Sequence, residues 1–192
     1  MTNPFEQFGQ WLEDAKRHPG IIEPTAMTLA TATKNAAPSA RIVLLKGWDE
    51  RGFAFYTNME SRKSAELKQN PQAALCFYWM PLERQVRIEG RVEVLPDDEA
   101  DKYFAERPRE SRVGAWSSRQ SQPLESREFL MAQVEANMKK FEGQDVKRPP
   151  FWAGWRVVPH AIEFWQQGAF RLHDRFVHSR QGGGWVSQRL YP

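Results

Sequence analysis

Phe5, Phe8, Trp11, Leu12 and Ala15 recur at the spacing of one helix face. Asn3 can cap that helix, Pro4 suits its first position, Glu6 stands at capping-box distance, and His18-Pro19-Gly20 stops it. The pattern predicts a helix over about 3–18 whose apolar stripe covers a core. From Met27 the period changes to two. Met27 to Thr33, Ser39 to Lys46, Phe53 to Thr57, Ala73 to Met80 and Arg84 to Leu95 read as strands, separated by turn signals such as Asn70-Pro71. Their short spacing implies antiparallel pairing. Ala73 to Met80 is apolar on both faces, which predicts cover from a barrel interior on one side and from something outside on the other. In Arg84 to Leu95, Val86, Ile88, Val92 and Val94 share one expected buried face, and Gln85, Arg87, Glu89, Arg91 and Glu93 share the wet one.

Two helical stretches follow, Asp97 to Arg107 and about Ser126 to Phe141, with a polar segment, Trp116 to Pro123, between them. After Pro149-Pro150 the strand pattern resumes in Trp155 to Val158, Ala161 to Gln166, Arg175 to Arg180 and Trp185 to Leu190. Gly182-Gly183-Gly184 makes the last pair a hairpin. The sequence reads as one domain over 1–192. It is mainly β with peripheral α-helices (α+β), an antiparallel barrel that is closed or split.

Composition narrows the functional classes. The 192 residues are 41% hydrophobic, 27% charged and 12% aromatic, a folded rather than a disordered balance. The longest apolar run is far shorter than the ~18 residues of a membrane span. The start, Met1 to Glu6, has no basic stretch followed by an apolar one, so no secretory leader is expected. The single cysteine, Cys76, cannot form an internal disulfide, and a buried thiol in the cytoplasm is expected. Four scattered histidines and one cysteine give no expectation of a metal. Net charge is +3, yet 18 of the 27 basic residues are arginine, the side chain whose fork suits phosphate and carboxylate. The cations alternate with acids rather than forming a stripe, which does not favour nucleic acid.

Four segments could carry chemistry, and each has an ordinary alternative. Arg41-Ile42-Val43-Leu44-Leu45-Lys46 is a core strand with charged ends. If Arg41 and Lys46 serve one site, a bulge or strong twist must intervene, because alternation puts them on opposite faces. Ser61-Arg62-Lys63 opens a helix whose free N–H groups and two cations suit a phosphate; otherwise it is a capped surface helix. Tyr103 and Arg107 share a helix face near Ser111, beyond the break at Pro108, and could hold a second phosphate or be a solvated helix end. Arg171, His173 and Arg175, if extended, project to one side and want an anion; otherwise Asp174 balances a surface strand. Together they suggest a phosphorylated cofactor beside a phosphorylated substrate.

With these segments in view, the chain resembles the pyridoxine (pyridoxamine) 5′-phosphate oxidase family. The resemblance rests on Arg41-Ile-Val-Leu-Leu-Lys46, Phe55-Tyr-Thr-Asn58, Ser61-Arg-Lys63, Leu82-Glu-Arg-Gln-Val86, Gly114-Ala-Trp116, Gln120-Ser121, Phe151-Trp-Ala-Gly154 and Ile162-Glu-Phe-Trp-Gln166. Its most specific parts are Arg171-Leu-His-Asp-Arg-Phe176 and the closing Arg189-Leu-Tyr-Pro192. The resemblance implies an FMN-binding split β-barrel, a homodimer with FMN at the subunit interface, and a dimerisation and substrate segment over about 150–192. It implies FMN contacts at Arg41, Ile42, Val43, Leu44, Leu45, Lys46, Tyr56, Thr57, Arg62, Lys63, Gln85, Gln120, Ser121, Trp165 and Arg175. It implies substrate contacts at Lys46, Tyr103, Arg107, Ser111, Arg171, Leu172 and His173, with Arg171 and His173 catalytic. The implied reaction oxidises pyridoxine or pyridoxamine 5′-phosphate to pyridoxal 5′-phosphate, with dioxygen as acceptor and hydrogen peroxide as product. Neither nucleic acid nor membrane is an implied partner. Many members carry a basic arm ahead of the first helix that can fold over the bound substrate; this sequence departs from that pattern by starting at the helix, which bears on how tightly its site closes. The competing class is a split-barrel carrier that holds FMN or pyridoxal 5′-phosphate without turnover.

Overall fold

The structure, a computed structural model, describes residues 3–192. Met1 and Thr2, part of the stretch read for a leader, lie outside the described residues. The first helix, α1 (Pro4–Arg17), begins where Asn3 accepts a hydrogen bond from the Phe5 N–H at 3.0 Å, rather than from Glu6 as a capping box requires. Its buried stripe is Phe5, Phe8, Leu12 and Ala15. Phe8 is fully buried and meets Phe53 and Phe77 edge-on, with ring centroids at 4.9 and 5.3 Å. Burial on that scale contributes about 2–3 kcal/mol per ring, which is why a helix of this length stays docked.

Among the described residues, nine strands form one antiparallel sheet: β1 (Ala26–Ala32), β2 (Pro38–Leu44), β3 (Gly47–Asp49), β4 (Gly52–Asn58), β5 (Gln72–Trp79), β6 (Arg84–Val94), β7 (Trp152–Gln166), β8 (Asp174–Gln181) and β9 (Gly184–Leu190). The order is β2-β1-β5-β6-β7-β4-β3, and the sheet curls into a half-barrel around the apolar core. β7 forks. Along one edge it pairs with β6; along the other its first half pairs with β4 and its second half with β8. The sequence predicts two strands here, split at Pro159. The structure has one, because a bulge absorbs the proline: Glu89 pairs with Ala161 and Gly90 with Pro159, leaving His160 extra. A Cβ on Gly90 would lie 2.2 Å from the Val158 carbonyl oxygen, so the close approach requires glycine.

The helices are α2 (Arg62–Gln69), α3 (Asp97–Glu106), α4 (Arg109–Ser117) and α5 (Arg127–Lys140). The sequence reading lacks α4. It buries only Val113, against Phe141 and Val146, so no apolar period reveals it. Other corrections concern faces. On β5, Ala73, Leu75, Phe77 and Trp79 are buried, but Ala74 and Cys76 are half-buried and Tyr78 is exposed, so this chain does not supply the expected outer cover. Cys76 lies on that outer face rather than in the core, and burial still pushes its thiol upward. Val94 is exposed because β6 ends there and Leu95 takes the buried place. Ser61 precedes α2 without capping it; its hydroxyl donates to the Asn58 carbonyl at 2.6 Å. Among the described residues, no helix is long and apolar enough to cross a membrane.

Candidate functional site

A cleft of about 530 Å³ opens between β2, β4, the start of β7 and the α3–α4 corner. The chain leaves β2 at Leu44 and restarts at Gly47; Leu45 drops into the core and Lys46 turns into the cleft. The strand is thus interrupted between them, as a shared site for Arg41 and Lys46 would need, yet Arg41 does not line the cleft. Ile42, Val43 and Leu44 line it instead. Tyr56 and Thr57 come from β4, Lys63 from α2 and Gln120 from the loop after α4. Tyr103 and Arg107 reach in from the end of α3, and Ser111 from α4, so the turn at Pro108 brings all three to one wall.

The α3 wall is clamped. Buried Arg156 on β7 donates to Glu93 at 3.0 Å and to Glu99 at 2.9 Å. Arg148 reaches Asp97 and Asp101 at 2.7 and 2.6 Å. Aromatic rings form the floor: Tyr56 stacks on Tyr103 at 4.2 Å and on Trp152 at 5.3 Å. The Arg107 guanidinium lies 4.9 Å from the Trp152 ring centroid. Its Nη1 is buried without a hydrogen-bond partner, and burial pulls the group below its ordinary pKa. A half-buried cation with a buried, unused donor is a strong demand for an anion.

Lys63 makes the same demand at the other side. Its Nζ donates to Gln120 Oε1 at 2.8 Å, Thr57 Oγ1 at 3.0 Å and Ser61 Oγ at 3.3 Å, all neutral acceptors. Burial, then the nearby Arg41 charge, bring its ammonium down to about 8. One cleft thus holds two uncompensated cations, Lys63 and Arg107, with Lys46 beside them. A second cleft, of about 570 Å³, lies between α4 and α5, but charges of both signs line it, including Arg109, Glu110, Glu135 and Lys139. The first has cations in its lining and, among the described residues, no acid.

The remaining residues named from the sequence lie elsewhere on the chain. Arg41 and Arg62 both bond Glu66, at 3.1 and 2.9 Å. Leu172 and His173 line a separate cleft of about 430 Å³ with Arg189, Leu190, Tyr191 and Pro192. The segment before them is not extended, so the condition on which Arg171 would project to the same side as His173 and Arg175 is not met. Ala169–Arg171 is a 3₁₀ turn in which Phe170 and Arg171 both have positive φ, 58° and 64°. A Cβ on Gly168 would lie 2.1 Å from the Leu172 carbonyl oxygen, and the Gly168 N–H donates to His173 Nδ1 at 3.2 Å. The His173 ring packs 4.6 Å from that of Trp165, which pairs in register with Gln85 on one side and Arg175 on the other. Arg175 donates to buried Glu163 at 2.8 Å, and Arg87 lies 3.1 Å from the same carboxylate. Ser121 sits in the loop after α4 with φ 73° and lines neither cleft.

Sequence reasoning missed Trp152, Asn58, Gly114, Ala115 and Ser118 in the cleft wall, and the acids Glu66 and Glu163. The four-residue spacing of Arg62 and Glu66 on one helix was the available signal for the first acid.

The model of the pyridoxamine 5′-phosphate oxidase family matches residues 14–137, and that of the pyridoxine 5′-phosphate oxidase C-terminal dimerisation region matches residues 152–192. A pyridoxine/pyridoxamine 5′-phosphate oxidase of Rubrobacter xylanophilus is 56% identical over 190 residues, covering 99% of this chain and 87% of the relative. One from Myxococcus xanthus is 55% identical, covering 99% and 92%. Among solved structures, PhzG from Burkholderia lata 383, in complex with tetrahydrophenazine-1-carboxylic acid, superposes with a TM-score of 0.94 at 33% identity, covering 100% of this chain and 94% of that one. A pyridoxamine 5′-phosphate oxidase-related, FMN-binding protein of Nostoc punctiforme shares the fold at TM-score 0.79 and 16% identity, each chain covered in full.

Proposed function

This chain belongs to the pyridoxamine 5′-phosphate oxidase family, a family of oxidoreductases, and we propose that it oxidises pyridoxine or pyridoxamine 5′-phosphate to pyridoxal 5′-phosphate as an FMN-dependent homodimer. The observation that carries this reading is the pair of uncompensated cations, Lys63 and Arg107, facing one aromatic-floored cleft. Two phosphorylated ligands side by side, cofactor and substrate, would satisfy both. The residues present fit FMN on that ground: a desolvated ammonium for its phosphate, and an apolar β2 edge beside it for a flat ring.

Lys63, with Thr57 and Gln120 fixing its ammonium, holds the cofactor phosphate. Lys46, Arg107, Tyr103 and Ser111 hold the substrate phosphate, where Nη1 of Arg107 gains its missing acceptor. Bound FMN would supply the hydride-acceptor and dioxygen-reducing chemistry at this site, the hydride coming from C4′ of the substrate and a proton from its hydroxyl or amine, with the electron pair ending on dioxygen as hydrogen peroxide; the imine from the amine substrate would add water and release ammonia. Arg171 and His173 orient the pyridine ring. Because they lie outside the first cleft, and because the matched dimerisation region contains them, they reach it from a second copy of the chain. The half-covered outer face of β5 offers part of the surface for that contact. The cleft at Leu172 and His173, braced by Trp165 and Gly168, arrives preformed, so ring orientation does not wait on loop ordering.

The test is direct. Purified protein should take up FMN with a yellow colour that bleaches anaerobically on adding pyridoxine 5′-phosphate and returns with air, yielding hydrogen peroxide. Flavin uptake without bleaching would leave a carrier. Bleaching by a reduced phenazine carboxylate but not by either vitamer would move the substrate toward the molecule bound in PhzG.

A further inference from the structure

Glu66 is an acid in an unusual position. Only 5% of its side chain is exposed, yet no part of the reading above uses it. It lies on α2 one turn after Arg62. Its Oε2 accepts from Thr31 Oγ1 at 2.5 Å, Ser39 Oγ at 2.6 Å and Arg41 Nη2 at 3.1 Å, and its Oε1 accepts from Arg62 Nε at 2.9 Å. Burial alone would raise this carboxyl. The hydrogen bonds from Ser39, Thr31, Arg62 and Arg41 outweigh it and hold the group at about 2, fully ionised at neutral pH.

The two arginines it holds are differently placed. Both terminal nitrogens of Arg41 are occupied, by the Leu29 carbonyl, Thr31, Ser39 and Glu66 itself. Arg41 is therefore tied down behind the cleft wall. Arg62 is bound through Nε alone. Its two terminal nitrogens have no partner among the described residues, and 68% of its side chain is exposed. An exposed arginine ordinarily samples many rotamers. This one is held at the base of its guanidinium with the outer fork free, beside Lys63, at the uncapped start of α2. A planar fork held in that way is prepared for a planar or tetrahedral oxyanion.

We propose that Glu66 is a positioning residue for the phosphate of the cofactor: it anchors Arg62 through Nε, aims the free fork at the anion held by Lys63, and binds Arg41 so that three neighbouring cations tolerate one another in the ligand-free chain. The proposal rests on the FMN reading and deepens it. It also opposes a simpler expectation, that a carboxylate close to a phosphate site weakens binding by repulsion. The two views give opposite signs for the neutral isostere. If position matters, Glu66→Gln keeps an acceptor for Nε and retains most of the affinity. If charge matters, Glu66→Gln binds phosphate more tightly than the wild type.

The experiment is a flavin-fluorescence titration of the flavin-free protein with FMN and, separately, with riboflavin, which lacks the phosphate. Glu66→Ala is expected to weaken FMN about tenfold, the ordering of one long side chain, and to leave riboflavin unchanged. Glu66→Gln is expected to recover most of that loss. In an Arg62→Ala background, Glu66→Ala should add little, since the two act as a unit. Equal loss of FMN and riboflavin, or tighter FMN binding by Glu66→Gln, would overturn the proposal. Where Glu66→Ala does not fold, Arg62→Lys replaces it: a single ammonium cannot bond Glu66 and present a fork, so FMN affinity should fall as far as in Arg62→Ala. Full retention by Arg62→Lys would equally refute the role. Wild-type protein that binds neither flavin would sink the FMN reading itself, whereas wild-type preference for FMN with indifference to Glu66 would sink only this inference.

Discussion

Replacing Lys63 by methionine should make the ligand-free protein more stable and its grip on FMN weaker. The ammonium is drawn from 10.5 to about 8 by burial and by Arg41; because the group is only half-buried, solvent screening leaves a strain on the order of 1–2 kcal/mol against keeping it charged at neutral pH. Losing its hydrogen bonds offsets part of that gain. The loss is small because the partners have other bonds: Gln120 Oε1 still accepts from Thr57 Oγ1 at 3.0 Å, and Ser61 Oγ still donates to the Asn58 carbonyl. A net gain of about 1 kcal/mol, or a Tm rise of about 2–4 °C for a chain of this size, is expected. The pH dependence fixes the cause. Lys63 titrates lower when folded than when unfolded, so between about 8 and 10.5 the unfolded chain binds more protons. Wild-type stability therefore rises with pH across that window relative to the variant, and the advantage of Lys63→Met fades. The assay is thermal unfolding of flavin-free wild type and variant at matched protein concentration from pH 7 to 10. A variant less stable than wild type at pH 7, or an advantage that does not change with pH, would refute the reasoning. FMN affinity should fall roughly ten- to a hundredfold in the same variant, the contribution of one charge-assisted phosphate contact.

Arg107→Ala should raise KM for either phosphorylated vitamer roughly ten- to a hundredfold with kcat little changed, because phosphate anchoring is equal in ground and transition states; steady-state kinetics would show otherwise by a matching fall in kcat. Arg171→Ala should keep FMN and the dimer yet slow anaerobic flavin bleaching at saturating pyridoxine 5′-phosphate by on the order of a hundredfold, and an unchanged rate would remove Arg171 from the chemistry. Gly90→Ala should lower stability by at least ~2 kcal/mol, since its Cβ meets only backbone at Val158 and Pro159; a chemical-denaturation midpoint equal to wild type would show that the bulge yields.

The strands of the barrel were legible because their core face is built from uninterrupted alternation, as in Leu75, Phe77 and Trp79 of β5 or Val86, Ile88 and Val92 of β6. The site was legible only in segments. Nothing in Arg171-Leu-His-Asp-Arg175 announces two successive residues at positive φ; the clue stands three residues earlier, at Gly168, where a side chain would strike the Leu172 carbonyl. Arg41 and Lys46 presented the reverse case. Alternation placed them apart and they are apart, one facing Glu66 and the other the cleft. Family resemblance grouped them by function, and the backbone alone could not have done so. The α4 helix was hidden because one buried valine makes no period, although its Ser111 helps to form the cleft.

The forked strand β7 sets a limit on how this fold can drift in evolution. Trp152, at its start, floors the first cleft, and Trp165, near its end, braces His173 in the cleft it shares with Arg189 and Tyr191. Thirteen steps of extended chain separate them, on the order of 40 Å before the bend at the bulge. That one strand is a ruler whose length fixes the spacing between the first cleft and the cleft at His173. Surface loops can gain or lose residues freely. A single insertion in β7 would both shift the spacing and turn every later side chain to the opposite face, detaching Trp165 from His173 and Glu163 from Arg175 in one event.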